Sequence, residues 1–294
     1  MNAANGPAEV TCIGRFAPSP TGPLHFGSLV AAVGSYLSAK SRNGKWLLRI
    51  EDLDTPRNAP GAADDILRAL DAFGLHWDGP VIFQSARLET YRAALDRLRA
   101  AGVTYPCACS RKEIADSFTA GESKGAIYPG TCRDGIAPGR AARAERVRVN
   151  DTVVSFEDRI QGPVTSNLAT DSGDFVVKRA DGPFAYQLAV VVDDADAHVT
   201  EVVRGADLLD STPRQIRLQQ LLHLPTPSYA HLPIVLNAHG AKLSKQTGAV
   251  PLDLDARRAA LVAALTFLGQ PPPADIASAE APELLNCAVA HHRK

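Results

Sequence analysis

Apolar positions along the chain change their period several times, and each change marks a candidate element. Residues 10–16 (VTCIGRF) form a short, partly β-branched apolar run of strand character. The next segment, APSPTGP, continues neither strand nor helix, because its prolines fix the backbone and lack an N–H. From 24 to about 39, small and apolar residues recur among serines, which predicts a tightly packed helix, and KWLLRI at 45–50 predicts the next strand. Apolar strand, helix and apolar strand in that order predict a βαβ unit in a parallel sheet covered on both faces. Helical spacing of Ile66, Leu67, Leu70 and Phe73 predicts a helix over 62–73, and Leu88, Tyr91, Leu95 and Leu98 predict another over 87–101.

Between 106 and 173 the regular pattern breaks into cysteines, glycines, the arginine-rich run GRAARAERVRV (139–149) and short β-like runs, which reads as an insertion. Regular α/β character returns with DFVVKR (174–179), YQLAVVVDDA (186–195) and HVTEVVRG (198–205), followed by a helix over 212–222. LPIVLN (232–237) predicts a further strand, leading into AHGAKLSKQTG. An amphipathic helix over 254–268 and a Pro/Ala-rich stretch at 269–285 complete the pattern, which contains no internal repeat.

Composition narrows the picture. The 294 residues are 45% apolar, enough for a real core, and the formal net charge of -1 confines any nucleic-acid contact to a local basic patch. Arg140, Arg143, Arg146 and Arg148 form one candidate, readable either as phosphate contacts or as solvated helix-face charges. The first residues carry no basic run before an apolar core, and no apolar stretch approaches a bilayer span, so a soluble cytoplasmic protein with no membrane and no obligate protein partner is expected. Five cysteines in a chain this long point to reduced thiols or a metal site rather than a disulfide framework.

Two short stretches suggest chemistry. A strand ending in a Gly/Pro turn that feeds a helix start makes an anion site, because the first helical N–H groups lack partners and the helix dipole adds positive potential. His25, Gly27 and Ser28 stand there, placed to bind a nucleoside triphosphate. Far downstream, KLSKQ supplies Lys242, Ser244 and Lys245, cations and a hydroxyl on a loop suited to neutralising the charge that builds as pyrophosphate leaves. Alone, the first is an ordinary helix start and the second a solvated basic turn; their order and context raise both.

H-F-G-S and K-L-S-K-Q resemble the HIGH and KMSKS signatures of the class I aminoacyl-tRNA synthetases, and RFAPSPTGPLHFGSL, RIEDLDTPR, YPCACSRKEI and EVVRGADLLDSTPRQ resemble the glutamyl branch. The resemblance runs from about Cys12 to Thr247. Ser28 departs from the second signature histidine, and Leu243 and Gln246 depart from the lysine loop's usual methionine and last serine. An α/β fold is implied: a Rossmann-like nucleotide-binding parallel sheet with an inserted zinc-type subdomain and a short helical C-terminal region. The expected divisions are 1–104 and 174–250 for the two catalytic halves, 105–173 for the insertion and 251–294 for a helical region with no anticodon-binding domain. By the same resemblance His25, Lys242, Ser244 and Lys245 are catalytic, and His25, Gly27, Ser28 and Lys245 bind ATP with its Mg2+. Arg15, Ala17, Ser19, Glu51, Tyr186 and Arg204 would contact L-glutamate, Glu51 through the substrate ammonium.

Cys107, Cys109 and Cys132 offer three thiolates, and one more ligand would close a structural zinc shell; free buried thiols are the other reading of the spacing. The glutamyl-type pattern has a matching set in this insertion and implies Zn2+ on Cys107, Cys109, Tyr128 and Cys132. With about 45 residues after the lysine loop, the chain is most similar to the truncated branch of the family that activates glutamate and esterifies it to the queuosine base in the anticodon of tRNA(Asp). A minimal synthetase charging the 3′ end of tRNA(Glu), an inactive paralogue serving as a binding module and a small-molecule nucleotidyltransferase are the competing readings.

Overall fold

The structure, a computed structural model, describes residues 11–116, 127–237, 240, 242–243 and 250–292. Strand β1 (Ile13–Phe16) leads through the proline turn to helix α1 (Phe26–Lys40), and β2 (Lys45–Ile50) returns parallel to β1, pairing Gly14 with Trp46 and Arg15 with Leu47. Gly44 makes that return possible: a Cβ there would lie 2.3 Å from the Cys12 carbonyl oxygen, which instead accepts the Lys45 N–H at 2.8 Å. Helix α2 (Ala62–Ala72), the short β3 (Ile82–Phe83), parallel to β2, and helix α3 (Leu88–Ala100) follow, so the first half has the βαβ architecture that its periodicity predicts.

The central segment forms β4 (Thr104–Cys107), α4 (Arg111–Asp116), β5 (Ala144–Val147), the antiparallel hairpin β6 (Val153–Asp158) and β7 (Gly162–Asn167), and the single turn α5 (Leu168–Asp171). Its strands serve two sheets. β4 and β5 join β8 (Phe175–Lys178) in an antiparallel sheet, whereas the hairpin attaches through Asp158 to β10 (Ser228–Leu232). β10 runs parallel to β9 (Glu201–Gly205). Helices α6 (Tyr186–Asp196) and α7 (Thr212–Leu222) flank these strands.

β9 lies beside β1, with the Thr200 N–H donating to the Ile13 carbonyl at 2.9 Å, so the parallel strands follow the spatial order β3, β2, β1, β9, β10. The chain reverses its direction of travel across the sheet between β1 and β9. Such a switch point opens a crevice at the carboxyl ends of its two strands. Helices α8 (Arg257–Phe267) and α9 (Ala281–Ala290) pack Leu261, Leu265, Leu284 and Leu285 into the same core as Leu29, Val33 and Leu37 of α1.

Three local expectations are corrected. The strand expected over 232–237 lies earlier, at Ser228–Leu232, because Pro233 has no N–H to continue the ladder. The Pro/Ala-rich stretch ends in a real helix, α9, with Pro282 and Glu283 in its first turn. The arginine run forms no helix face: Arg146 lies on β5 and is buried, whereas Arg140 and Arg143 precede the strand and are exposed.

Candidate active site

A cavity of about 700 Å³ opens at the switch point. Arg15 and Ala17, near and just beyond the end of β1, and Ser19 form one wall; Arg204 lies near the end of β9 opposite, with Glu51 after β2 and Tyr186 at the start of α6. His25, Gly27 and Ser28 line the same cavity from the start of α1, and Lys242 reaches it from the lysine loop. Every described residue expected to hold ATP or glutamate thus faces one space. Ser244, Lys245 and Gln246 lie outside the described residues.

At the helix end, His25 is the N-cap of α1, and its Nδ1 accepts the Ser28 N–H at 3.3 Å. An accepting Nδ1 puts the neutral ring's proton on Nε2, the donor a phosphate oxygen needs. The capping bond also removes one of the helix's unpaired N–H groups from the anion site, leaving the others. Gly27 has a second role besides the backbone approach inferred from sequence: a Cβ there would come within 3.2 Å of His25 Cε1. Lys242 forms an ion pair with Asp207, and the neighbouring Leu243 N–H is fixed on the Val235 carbonyl at 2.8 Å.

The other end holds a dense set of buried charges. Arg15, 4% exposed, places Nε 3.2 Å from Asp194 Oδ1. Arg49, 2% exposed, reaches Asp194 Oδ1 at 2.6 Å, Glu51 Oε1 at 3.1 Å and Asp193 Oδ2 at 3.7 Å. Asp193 also accepts from Gln84 at 2.8 Å, Arg87 at 2.6 Å and Tyr91 at 2.9 Å. Burial pushes both Asp194 and Glu51 up; Arg15 and Arg49 outweigh it at Asp194, which sits below its usual range, whereas Glu51 stays above its own. Glu51 is therefore a carboxylate short of positive charge, the electrostatic condition for receiving an ammonium.

Arg204 is held on three sides. Its Nε donates to His231 Nε2 at 3.0 Å, its Nη2 to Thr212 Oγ1 at 2.8 Å, and its Nη1 to Tyr186 Oη at 3.3 Å. Sequence reasoning found Arg15, Glu51 and Arg204 but missed Arg49, Asp193, Asp194, His231 and Asp158, which hold them. The pair of aspartates closing an apolar run, VVVDDA, was the available signal, because acids next to three valines on a helix fall on its buried side.

In the central segment the sulfurs of Cys107, Cys109 and Cys132 lie within 4.8 Å of one another, with Cys109 and Cys132 3.6 Å apart. Tyr128 Oη stands 3.5 Å from Cys107 Sγ and 3.6 Å from Cys109 Sγ, and accepts the Cys132 N–H at 2.8 Å. A tetrahedral ion with sulfur bonds of about 2.3 Å needs sulfurs roughly 3.8 Å apart, so this donor set fits zinc. Burial pushes the Cys132 thiol up, but hydrogen bonds from Tyr128 and the Ala108 N–H outweigh it and bring it to about 7. Arg146 belongs to this cluster: its Cζ lies 3.9 Å from the Tyr128 ring centroid and its Nε 3.4 Å from Cys107 Sγ, and Nη1 donates to the Asp174 carbonyl at 2.7 Å. Engaged there and 8% exposed, it is not a phosphate contact. Arg148 likewise donates to the Arg133 carbonyl at 2.8 Å, while Arg140 pairs with Glu113.

Residues 11–286 match the family described as tRNA synthetases class I (E and Q), catalytic domain. The chain is 61% identical over 279 residues to the glutamyl-Q tRNA(Asp) synthetase of Aromatoleum aromaticum, covering 95% of this chain and 88% of that one. It is 62% identical to the protein of the same name from Dechloromonas aromatica, covering 95% and 93%. Among solved structures, the glutamate-tRNA synthetase of Elizabethkingia anophelis superposes with a TM-score of 0.70 at 29% identity, over 81% of this chain and 53% of that one. The chain thus spans about half the length of that solved synthetase. No helix among the described residues is long and apolar enough to cross a membrane.

Proposed function

This chain belongs to the class I tRNA synthetases of the glutamyl and glutaminyl type, and on that footing we propose that it activates L-glutamate with ATP and transfers the glutamyl group to the queuosine base in the anticodon of tRNA(Asp). One observation carries the chemistry. Groups suited to a triphosphate and groups suited to an amino acid with two carboxylates face a single cavity at the switch point.

In the first half-reaction an oxygen of the glutamate α-carboxylate bonds to the α-phosphorus of ATP as the bond to pyrophosphate breaks in line, giving glutamyl-adenylate. The chain contributes position and charge rather than a nucleophile. His25 Nε2–H and the N–H groups of α1 hold phosphate oxygens, with Gly27 and Ser28 against the nucleotide, while Lys242, Ser244 and Lys245 balance the charge of departing pyrophosphate. Glu51 takes the substrate ammonium, Arg204 and Tyr186 take a carboxylate, and Arg15, Ala17 and Ser19 close the remaining wall. In the second half-reaction a hydroxyl of the queuosine cyclopentene diol attacks the carbonyl carbon, AMP leaves, and the hydroxyl proton passes to the leaving phosphate or to water. Mg2+ would come bound to the phosphates of ATP and would neutralise part of their charge there.

Zn2+ would be held by Cys107, Cys109, Tyr128 and Cys132 and would supply a crosslink between the end of β4 and the 128–132 turn, which would make 105–173 a zinc-type subdomain. It lies between catalytic halves at 1–104 and 174–250, with 251–294 a helical region. A cytoplasmic location suits substrates of this kind.

Two measurements test the function. Without any tRNA, the protein should catalyse glutamate-dependent exchange of pyrophosphate into ATP, and Lys245→Ala should lower the rate by about 100-fold, because the loop acts on charge present in the transition state. Labelled glutamate should then appear on total tRNA and vanish when the tRNA comes from a strain unable to make queuosine. Label persisting on queuosine-free tRNA would replace this function with 3′-end charging.

A further inference from the structure

The hairpin β6–β7 belongs to the central segment, yet Asp158, the last residue of β6, connects through His231 to Arg204 of the cavity wall. Asp158, 1% exposed, accepts from His231 Nδ1 at 2.5 Å, and its other oxygen accepts the N–H groups of Ile160, Gln161 and His231 at 2.9–3.1 Å. Four donors converge on one carboxylate, so it remains ionised although buried, and its pKa lies below the ordinary value. His231 is fully buried, stacked 6.2 Å from the Tyr229 ring, which in turn meets Phe156 of the same hairpin edge to face.

The hydrogen bonds fix the tautomer. Arg204 Nε is a permanent donor and lies 3.0 Å from His231 Nε2, so Nε2 has to be the unprotonated, accepting nitrogen. The ring proton is then on Nδ1, where Asp158 receives it. With Nε and Nη2 of Arg204 committed to His231 and Thr212, Nη1 is the arm left beside Tyr186 at the cavity wall. The opposite tautomer would set two N–H groups against each other and turn the fork.

We propose that Asp158 is a positioning residue for glutamate recognition: through the Nδ1–H tautomer of His231 it sets the orientation of the Arg204 guanidinium, so the central segment that separates the catalytic halves also tunes the amino-acid pocket. This inference deepens the function given above and rests on Arg204 being a glutamate contact.

The test compares Asp158→Asn with Arg204→Gln in tRNA-independent pyrophosphate exchange, alongside 15N NMR of histidine-labelled protein, with the His231 resonance assigned by its loss in His231→Phe. An asparagine keeps an acceptor for the three backbone N–H groups but presents its amide N–H to the ring, which favours the Nε2–H tautomer. The parent should show His231 as Nδ1–H and Asp158→Asn should show it as Nε2–H. KM for glutamate should rise about 10- to 100-fold, the loss seen when an orienting outer partner is removed, with KM for ATP unchanged. An Nε2–H tautomer in the parent, or a parent-like glutamate KM in Asp158→Asn when Arg204→Gln raises it, would overturn the inference alone. A parent-like KM in Arg204→Gln would instead remove the assignment of Arg204 to glutamate. Should Asp158→Asn fail to fold, His231→Phe removes the acceptor while keeping a ring against Tyr229 and should raise the same KM; a folded His231→Phe with parent-like KM would also overturn the inference.

Discussion

Replacing Arg49 by methionine should damage the protein through charge rather than volume. The side chain is 2% exposed and touches three carboxylates, at 2.6 Å (Asp194), 3.1 Å (Glu51) and 3.7 Å (Asp193). At an effective dielectric constant near 20 each contact has a gross attraction of about 4–6 kcal/mol, most of it offset by the cost of taking the charges out of water. Methionine fills much of the space but leaves the acids behind. Asp194 keeps Arg15 and Asp193 keeps Arg87, so Glu51 suffers most. Breaking one side of a buried pair costs about 3–5 kcal/mol, which for a chain of this size lowers the melting midpoint by roughly 6–20 °C.

The pH dependence supplies the sharper check. In the parent, Asp194 lies below its ordinary pKa, so its contribution is present above that value and fades as pH falls. In the variant Asp194 and Glu51 move upward, and an acid raised in the folded state is least harmful when protonated. The gap between parent and Arg49→Met, followed by circular dichroism melting, should therefore be wide at pH 7.5 and narrow at pH 5. Equal midpoints at pH 7.5, or a gap that does not change with pH, would refute the argument. Arg92→Ala, which removes an exposed pair with Glu89, should leave the midpoint unmoved.

Gly27→Ala should lower the pyrophosphate-exchange rate by about tenfold while leaving melting unchanged, because the new Cβ meets the His25 ring at 3.2 Å and displaces it; an unaltered rate would show that His25 has room to spare. Glu51→Gln should raise KM for glutamate by at least about 10-fold without changing KM for ATP, as expected when one member of a charge pair is lost. The purified protein should carry one zinc per chain by atomic emission, and Cys109→Ser should lose the metal and melt earlier; a metal-free parent melting normally would show the thiol cluster to be self-sufficient.

Much of this architecture is legible in the sequence because it depends on local rules. Apolar strands around a Pro/Gly turn announce β1, α1 and β2, and helical spacing announces α2 and α3. The run YQLAVVVDDA is less explicit: successive valines suit a strand, and tertiary packing makes them a helix. LPIVLN misleads because apolar composition outweighs one proline by eye but not in a hydrogen-bond ladder. At the site, the residues that line the cavity are legible through their motifs, whereas those packed behind them are not. His231 sits in the otherwise unremarkable SYAHL, and Asp158 ends a hairpin with mixed exposure. Their role depends on a contact across 73 positions, which no local pattern encodes. Arg146 shows the converse, since a cluster of cations read as one surface is divided by burial and by different partners into separate jobs.

The neighbouring strands β1 and β9 meet through residues 13 and 200, a span of 187 positions. A nascent chain therefore exposes the proline turn after β1 early in synthesis but lacks the facing strand until more than two thirds of the polypeptide has emerged. A ribosome-stalled fragment ending before β9 should gain no protease resistance from a non-hydrolysable ATP analogue, and one extended past β10 should. The change in the order in which the strands are laid down, which creates the crevice, thus also makes assembly of the cavity a late event in the birth of the protein.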